Sequence, residues 1–337
     1  MNFPDYSVTI RTLGTAGTKF EATLNSIANQ TLPPKEVFVV IPDGYLLPKL
    51  PEWATVIRSE KGMVIQRIIG IEAVTTDYTM ALDDDVEFGK DFAEQLMKTS
   101  LENGNCFVSP CVKGPSIIAE KKEHPNSRIK YLFKNRLKWM GGVNWETKFD
   151  DDYILKIANT GGFVCDNHKS SESIYKTQSG HGTIMFGPTT ALKSVDFRQE
   201  LWLEGCQYAW PDDQVEYYKL FINGYTLLYA PFIELRHLDA GTSITGEKKQ
   251  KIAYSAARNA IIFWHRFIYL QRQKKVFLIF AISRRIIFSS LFALCKSIVQ
   301  QNFNYLYAWV RGYWDGFRFI KSKDYKKLTD PICTKKD

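Results

Sequence analysis

Tyr78-Thr79-Met80-Ala81-Leu82-Asp83-Asp84-Asp85-Val86 is a short apolar, β-favouring run that delivers three carboxylates at its end. A run of this kind cut off by acids predicts a buried strand of an α/β sheet, and such sheets bind ligands at the carboxyl ends of their strands. Adjacent like charges repel unless a cation or solvent relieves them. Asp83 and Asp85 are two residues apart, so on extended backbone they point the same way. Hard oxygen donors so placed suit Mg²⁺ or Mn²⁺ holding a diphosphate. The competing reading is a solvated acidic turn, and the flanking segments decide between the two.

Upstream, Ser7-Val8-Thr9-Ile10 is a β-branched run that opens into the polar stretch Arg11-Thr12-Leu13-Gly14. Phe20 to Ala28 has helical spacing, Pro33-Pro34 breaks it, and Glu36 to Ile41 forms a second strand that stops at Pro42-Asp43-Gly44. Thr55 to Arg58 predicts a third strand and Ile65 to Val74 a helix leading into the Asp cluster. Strand, helix, strand with polar residues at the strand ends argues for a parallel sheet of the nucleotide-binding kind.

In this order and spacing the chain resembles the amino-terminal half of family 2 glycosyltransferases of the GT-A fold, which move a sugar from a nucleotide diphosphate to an acceptor. The resemblance implies an α/β fold with a mixed or parallel central sheet flanked by helices, followed here by a helical carboxyl-terminal tail. It places Thr12 and Asp43 at the base of the nucleotide, Arg67 and Asp84 on the donor side, Asp83 at the ribose and Asp85 on a divalent metal, Mn²⁺ or Mg²⁺. Gly14, Pro42 and Ile68 depart from the residues the family often has there.

Farther on, Phe92 to Leu101 predicts a helix and Cys106 to Pro110 a strand, after which the pattern blurs. Lys121, Lys122, Lys130, Lys134 and Lys138 interleave with Tyr131, Phe133 and Trp139, a composition met both in solvated amphipathic helices and in glycan or nucleic-acid surfaces. Asp150-Asp151-Asp152 has no apolar strand before it and reads as a surface turn. Order returns at His181 to Pro188, a strand with a turn, and at Trp210-Pro211-Asp212-Asp213-Gln214, which opens a helix ending at Asn223-Gly224. The family's acidic pair begins a helix that stops at a Gly-Tyr eleven residues after the Asp, and Asp213 to Gly224 keeps that separation. By resemblance Asp213 is a general base, with Trp210, Asp212 and His181 on the acceptor side and His237 a second metal ligand. Taken alone, Asp213 would be a helix cap.

Six cysteines show no Cys-x-x-Cys pair and no zinc spacing, which fits reduced thiols in a cytosolic setting. The first twenty residues carry Asp5 and Arg11 and no continuous apolar core, so they do not read as a secretory signal. The net charge of +8 is unevenly spread, because residues 247–337 hold 19 basic and 5 acidic side chains. Apolar blocks of about ten residues separated by Arg284-Arg285 fall short of the ~20 that a spanning helix needs. With Trp264, Trp309 and Trp314 they fit helices lying in a bilayer interface, or else a bundle packed on the body or on a second copy. The Arg258-Asn259 pair before an aromatic-rich helix resembles the tails of bacterial rhamnosyl- and galactofuranosyl-type transferases.

The chain thus divides into a nucleotide-sugar-binding half (1–112), an acceptor-binding half (113–246) with an insertion over 113–180, and a basic, aromatic helical tail (247–337). The expected activity is metal-dependent transfer of one sugar, with inversion, from a UDP- or dTDP-sugar to a saccharide or lipid-linked acceptor in cell-surface polysaccharide synthesis. The expected partners are an anionic membrane surface and a homodimer mate through the tail, with no nucleic acid. The expected location is cytoplasmic, peripheral on the inner face of the membrane. A nucleotidyltransferase acting on sugar phosphates is the alternative enzyme, for which Gly14, Gly17 and Lys19 supply only part of a first loop. A catalytically dead membrane or nucleic-acid binding module is the alternative outside catalysis.

Overall fold

Strand β1 (Tyr6–Arg11) has neighbours on both sides, and its alternating side chains decide where everything else lies. Tyr6, Val8 and Ile10 enter one core with Phe20, Leu24 and Ile27 of helix α1 (Thr18–Ala28). Ser7, Thr9 and Arg11 face the other side. Strands β2 (Glu36–Pro42) and β3 (Ala54–Ser59) extend the sheet in parallel, and helix α2 (Met63–Ala73) then crosses to deliver β4 (Tyr78–Asp83) against the opposite edge of β1. The chain reverses its direction of growth between β1 and β4. That is the topological switch point at whose carboxyl ends open α/β sheets bind ligands. The computed structural model describes residues 2–114, 135–142, 144–206, 208–238 and 246–333.

The sheet continues through β5 (Val86–Phe88), helix α3 (Phe92–Glu102), β6 (Phe107–Lys113), the small strands β7 (Trp145–Glu146), β8 (Tyr153–Ile157), β9 (Phe163–Cys165) and β10 (Tyr175–Thr177), and then β11 (Ile184–Pro188). Helix α4 (Thr189–Ser194), a 3₁₀ segment (Phe197–Gly205), helix α5 (Asp212–Ile222) and strand β12 (Leu227–His237) complete the body. Among the described residues the order is β3-β2-β1-β4-β11-β6-β12-β10-β8-β9-β7, with β5 beside β12. The sheet is mixed, since β11 runs antiparallel to both β4 and β6. The insertion therefore holds four strands where the sequence pattern blurs, and Asp150, Asp151 and Asp152 lie exposed at a bend before β8. The Lys121, Lys122, Lys130 and Lys134 stretch, with Tyr131 and Phe133, lies outside the described residues.

The tail forms helix α6 (Gly246–Phe263), a π-helical turn (Trp264–Tyr269), α7 (Lys275–Val299), α8 (Asn304–Phe319) and α9 (Lys323–Lys326). Ala257, Ile261, Phe263 and Phe267 share one core with Val64 and Ile68 of α2 and with Val215 and Leu220 of α5. Body and tail thus share one core across the expected 246/247 division. Gly312 and Gly316 let α8 lie against α6, for a Cβ at these positions would fall 2.5 Å from the Tyr254 carbonyl oxygen and 2.8 Å from that of Arg258. Glu200, fully buried, ties tail to body by accepting from Lys219 Nζ (2.8 Å) and from Arg266 Nε and Nη2 (2.9 Å each). Burial works against its ionisation, but Lys219 and Arg266 outweigh that and hold its pKa below the ordinary value. The apolar blocks around Arg284-Arg285 join into one 25-residue helix, α7, which by length and composition alone could cross a membrane. The expectation of two short blocks is corrected here, because arginine is itself a strong helix former and does not interrupt the helix.

Candidate active site

Side-chain parity on β1 and β4 builds the site. Residues 7, 9 and 11 of β1 and 79, 81 and 83 of β4 face the side covered by α2 and α5, and Arg11 and Asp83 pair in register at the two strand ends. There Arg11 donates to Asp83 Oδ1 (2.6 Å), to Asp212 Oδ2 (2.9 Å) and to the Met63 carbonyl (2.9 Å). Arg67, buried on α2, donates to Glu216 and to the Gly182 carbonyl (2.5 Å), and lies 3.6 Å from Asp212 and 3.7 Å from Asp83. Burial opposes the charge on both arginines, and their acidic neighbours more than restore it. Arg67, expected on the donor side, here holds internal acids and a carbonyl. Asp212, expected on the acceptor side, is likewise the buried anchor of two arginines.

The opposite parity carries Thr12 and Asp84. The Thr12 hydroxyl donates to Asp84 Oδ2 (2.5 Å) and accepts from the Gly14 amide (2.8 Å). With those bonds made and only 4% of its surface exposed, Thr12, expected at the base, ties Asp84 to the first loop. Burial, reinforced by Asp85 and Asp83 and opposed by the Thr12 hydrogen bond, pushes the Asp84 carboxyl up to about 6. Asp43 stands exposed just past β2, next to the loop that follows β1.

After Asp83 the chain bends, and Asp83 turns to Arg11 while Asp85 turns to His237. Asp85, nearly buried, meets His237 at the end of β12, with Oδ2 and Nε2 3.1 Å apart. The Leu238 amide also donates to the Asp85 carbonyl (2.7 Å), which fixes the end of β12 beside the Asp cluster. Among the described residues no group of three His, Cys, Asp or Glu could hold a metal. Asp85 and His237, one oxygen and one nitrogen donor, are the residues that would hold a divalent cation.

His181-Gly182-Thr183 runs between this pair and the second acidic centre. The His181 ring lies 6.1 Å from that of His237, and Gly182 packs on Asp213, where a Cβ would come within 3.2 Å of the Asp213 Cβ. Burial, with His237 second, lowers the His181 pKa. Asp213, half-buried in the first turn of α5, bonds only its neighbour's amide, Gln214 N to Oδ1 (2.8 Å), among the hydrogen bonds described. Burial, and then the charge of Asp212, push its carboxyl up to about 7, the range of a working base. Trp210 stands 39% exposed before α5, its carbonyl held by Asn259 Nδ2 (2.8 Å).

Arg11, Glu216, Glu204 and Asn259 were not singled out as site residues from the sequence. Glu204 accepts from the Val64 amide (2.6 Å) and so caps α2. The available signal was Arg11 itself, a charge closing a strand at the position equivalent to Asp83.

Residues 16–149 match the model of the family described as Glycosyl transferase family 2. No curated protein sequence matches the chain. Among solved structures, GalNAc-T7 with UDP, GalNAc and Mn²⁺ superposes at a TM-score of 0.51 and 15% identity, covering 80% of this chain and 50% of that one. The chain thus spans about half the length of that structure. S. aureus TarS 1-349 superposes at 0.50 and 11% identity, covering 93% of this chain and 80% of that one.

Proposed function

We propose that this chain, a family 2 glycosyltransferase with the GT-A fold, moves one sugar with inversion from a nucleotide diphosphate sugar to a hydroxyl of a saccharide or lipid-linked glycan. The observation that carries the reading is the three-residue stretch 181–183, which touches the Asp85–His237 pair on one side and Asp213 on the other. A diphosphate site and a carboxylate of neutral pKa therefore lie within one loop's width.

Asp85 and His237 are the residues that would hold a divalent cation, Mn²⁺ or Mg²⁺, whose charge stabilises the departing diphosphate. Asp43 takes the base of the nucleotide, and Asp83, steadied by Arg11, the ribose. Asp213 accepts the acceptor's hydroxyl proton as the new oxygen–C1 bond forms and the bond from C1 to the phosphate oxygen breaks on the opposite face. The transition state has the oxocarbenium character of glycoside chemistry. No covalent sugar–enzyme intermediate is needed. Trp210 offers an exposed ring for an acceptor sugar at the mouth of the same helix.

The test is a thermal-shift panel of UDP-, dTDP- and GDP-sugars with and without Mn²⁺, since ligands that bind the native state raise its melting temperature. One donor should raise it with the cation, and Asp85→Ala should abolish that cation-dependent part while the protein itself stays folded. If no donor shifts the melt, or Asp85→Ala transfers sugar at the parent rate with Mn²⁺, the assignment is wrong.

A further inference from the structure

A second polar feature lies outside the catalytic cleft. A cavity of about 430 Å³ opens between the β8–β9 hairpin and α7, walled by Phe149, Phe277 and Phe280 and by Lys156, Arg272 and Arg284. Its charge is one-sided. Among the described residues Arg272 bonds only neutral acceptors, Asn159 Oδ1 (2.6 Å), the Ile157 carbonyl (3.1 Å) and the Tyr218 hydroxyl (2.8 Å). Arg284 stacks its guanidinium 5.9 Å from the Trp139 ring, and its buried Nε has no hydrogen-bond partner among the described residues. Arg285, just behind the wall, donates to the Thr160 carbonyl (2.8 Å). Among the described residues none of these three arginines has a carboxylate within salt-bridge reach, and only Lys156 is paired, with Asp151. Unmatched guanidinium groups in a semi-enclosed apolar site favour an anion with several acceptor oxygens, as phosphate has.

The apolar wall continues outward. Phe277 and Phe280 are 56% and 66% exposed, and Ile287, Leu291 and Ile298 follow at helical spacing, each at least half exposed. An exposed stripe of that length marks an interaction surface. Here its occupant is indicated by the cations at one end. We propose that the cavity takes the phosphate headgroup of an anionic membrane lipid, whose hydrocarbon lies along the exposed stripe of α7.

The site also adjoins the cleft. Thr160 lines the cavity, and the carbonyl of the next residue, Gly161, accepts from Gln214 Nε2 (2.8 Å), the residue after Asp213. Under the proposed function, a headgroup held here would bring a lipid-linked acceptor beside the base, and in that respect the inference rests on that reading. Binding itself is measured without donor or transfer, so the failure of either reading leaves the other standing.

The experiment is flotation of the full chain with phosphatidylcholine vesicles, with and without phosphatidic acid. The parent should partition onto the phosphatidic acid vesicles in preference. Arg284→Gln should weaken this about five-fold, the contribution of one cation near an anionic surface. Phe280→Ser, at an exposed position that leaves the core intact, should weaken binding to both vesicle types. Lys98→Gln, on α3 across the sheet, should leave binding unchanged, and melting temperatures confirm that each variant is folded. Equal flotation of parent, Arg284→Gln and Phe280→Ser would overturn the proposal. So would equal binding to the two vesicle types, or equal loss in Lys98→Gln. An Arg284-dependent rise in melting temperature with inorganic phosphate alone, without vesicle binding, would assign the cavity to a free anion and overturn the lipid.

Discussion

Replacing Asp213 with Asn separates its two possible roles, because Asn keeps the size and the capping oxygen of Asp but takes no proton at neutral pH. The folded chain holds the Asp213 proton up to about 7 against an ordinary 3.8. At about 1.4 kcal/mol for each pKa unit this corresponds to roughly 4 kcal/mol, a ceiling because the half-buried carboxyl keeps some contact with solvent. The sign follows from proton binding. Between pH 3.8 and about 7 the native state binds the proton and the unfolded chain has released it, so parent stability falls as pH rises through this window and levels off above it. Asp213→Asn carries no such cost. Its melting temperature should gain on the parent from acid to alkaline pH, by about 5 °C at most for a chain of this size. Transfer should fall by roughly 10²-fold or more. The parent's kcat/KM should rise with pH and level off above about 7. The assays are calorimetry across pH and steady-state transfer with the donor found in the thermal-shift panel. A variant that transfers at the parent rate, or whose melting temperature tracks the parent's at every pH, refutes the assignment. Asp212→Asn is no neutral control, because it would break the contacts of Asp212 with Arg11 and Arg67 and destabilise the fold as well.

Glu200→Gln leaves Lys219 and Arg266 buried without a counter-charge and should cost about 3–5 kcal/mol in urea unfolding at neutral pH. Because the Glu200 pKa lies below its unfolded value, that advantage of the parent should shrink as pH falls below the ordinary carboxylate range, and a gap that persists in acid would count against the ion triad. Gly182→Ala should lower kcat with little change in melting temperature, since the new methyl would press on Asp213 from 3.2 Å; unchanged kcat would show that the contact has slack. Truncation after residue 246 should yield aggregated or molten protein, because it strips the shared core from α2 and α5; a soluble, cooperatively melting fragment would contradict that packing.

Most of the strands that proved legible are buried, while the half-exposed β3 was legible from its β-branched Thr55-Val56-Ile57. β1, β2 and β4 have to be near-continuous apolar runs, and the acids that stop β4 mark its carboxyl end. β7 to β10 are two to five residues long and mostly half-exposed, so neither period nor hydrophobicity announces them. Asp85, His237 and Asp213 stood out in the sequence because they lie at element ends, where a charge is conspicuous. The pairing of Arg67 with Glu216 could not be read from the sequence, because the two lie 149 residues apart. Composition gave the tail its helices. It could not show that α6 turns its alanines inward while α7 leaves its phenylalanines outside, since each face is chosen by a neighbour distant in sequence.

The close crossing of α6 and α8 has a mechanical consequence. Leu278 and Ile282, early in α7, share a core with Phe267 of the π-helical turn and Tyr313 of α8, and late in α7 Lys296 Nζ lies 4.0 Å from the Tyr305 ring of α8, so α7 is held along its length and does not swing like a tether. Whatever surface α7 lies on inherits the orientation of the body. A planar surface would then fix the angle at which the mouth of α5, with Trp210 and Asp213, is presented to it. Altering the span of α7 in steps of one residue would turn that mouth by about 100° of helical phase each time, while steps of a full turn would preserve its bearing.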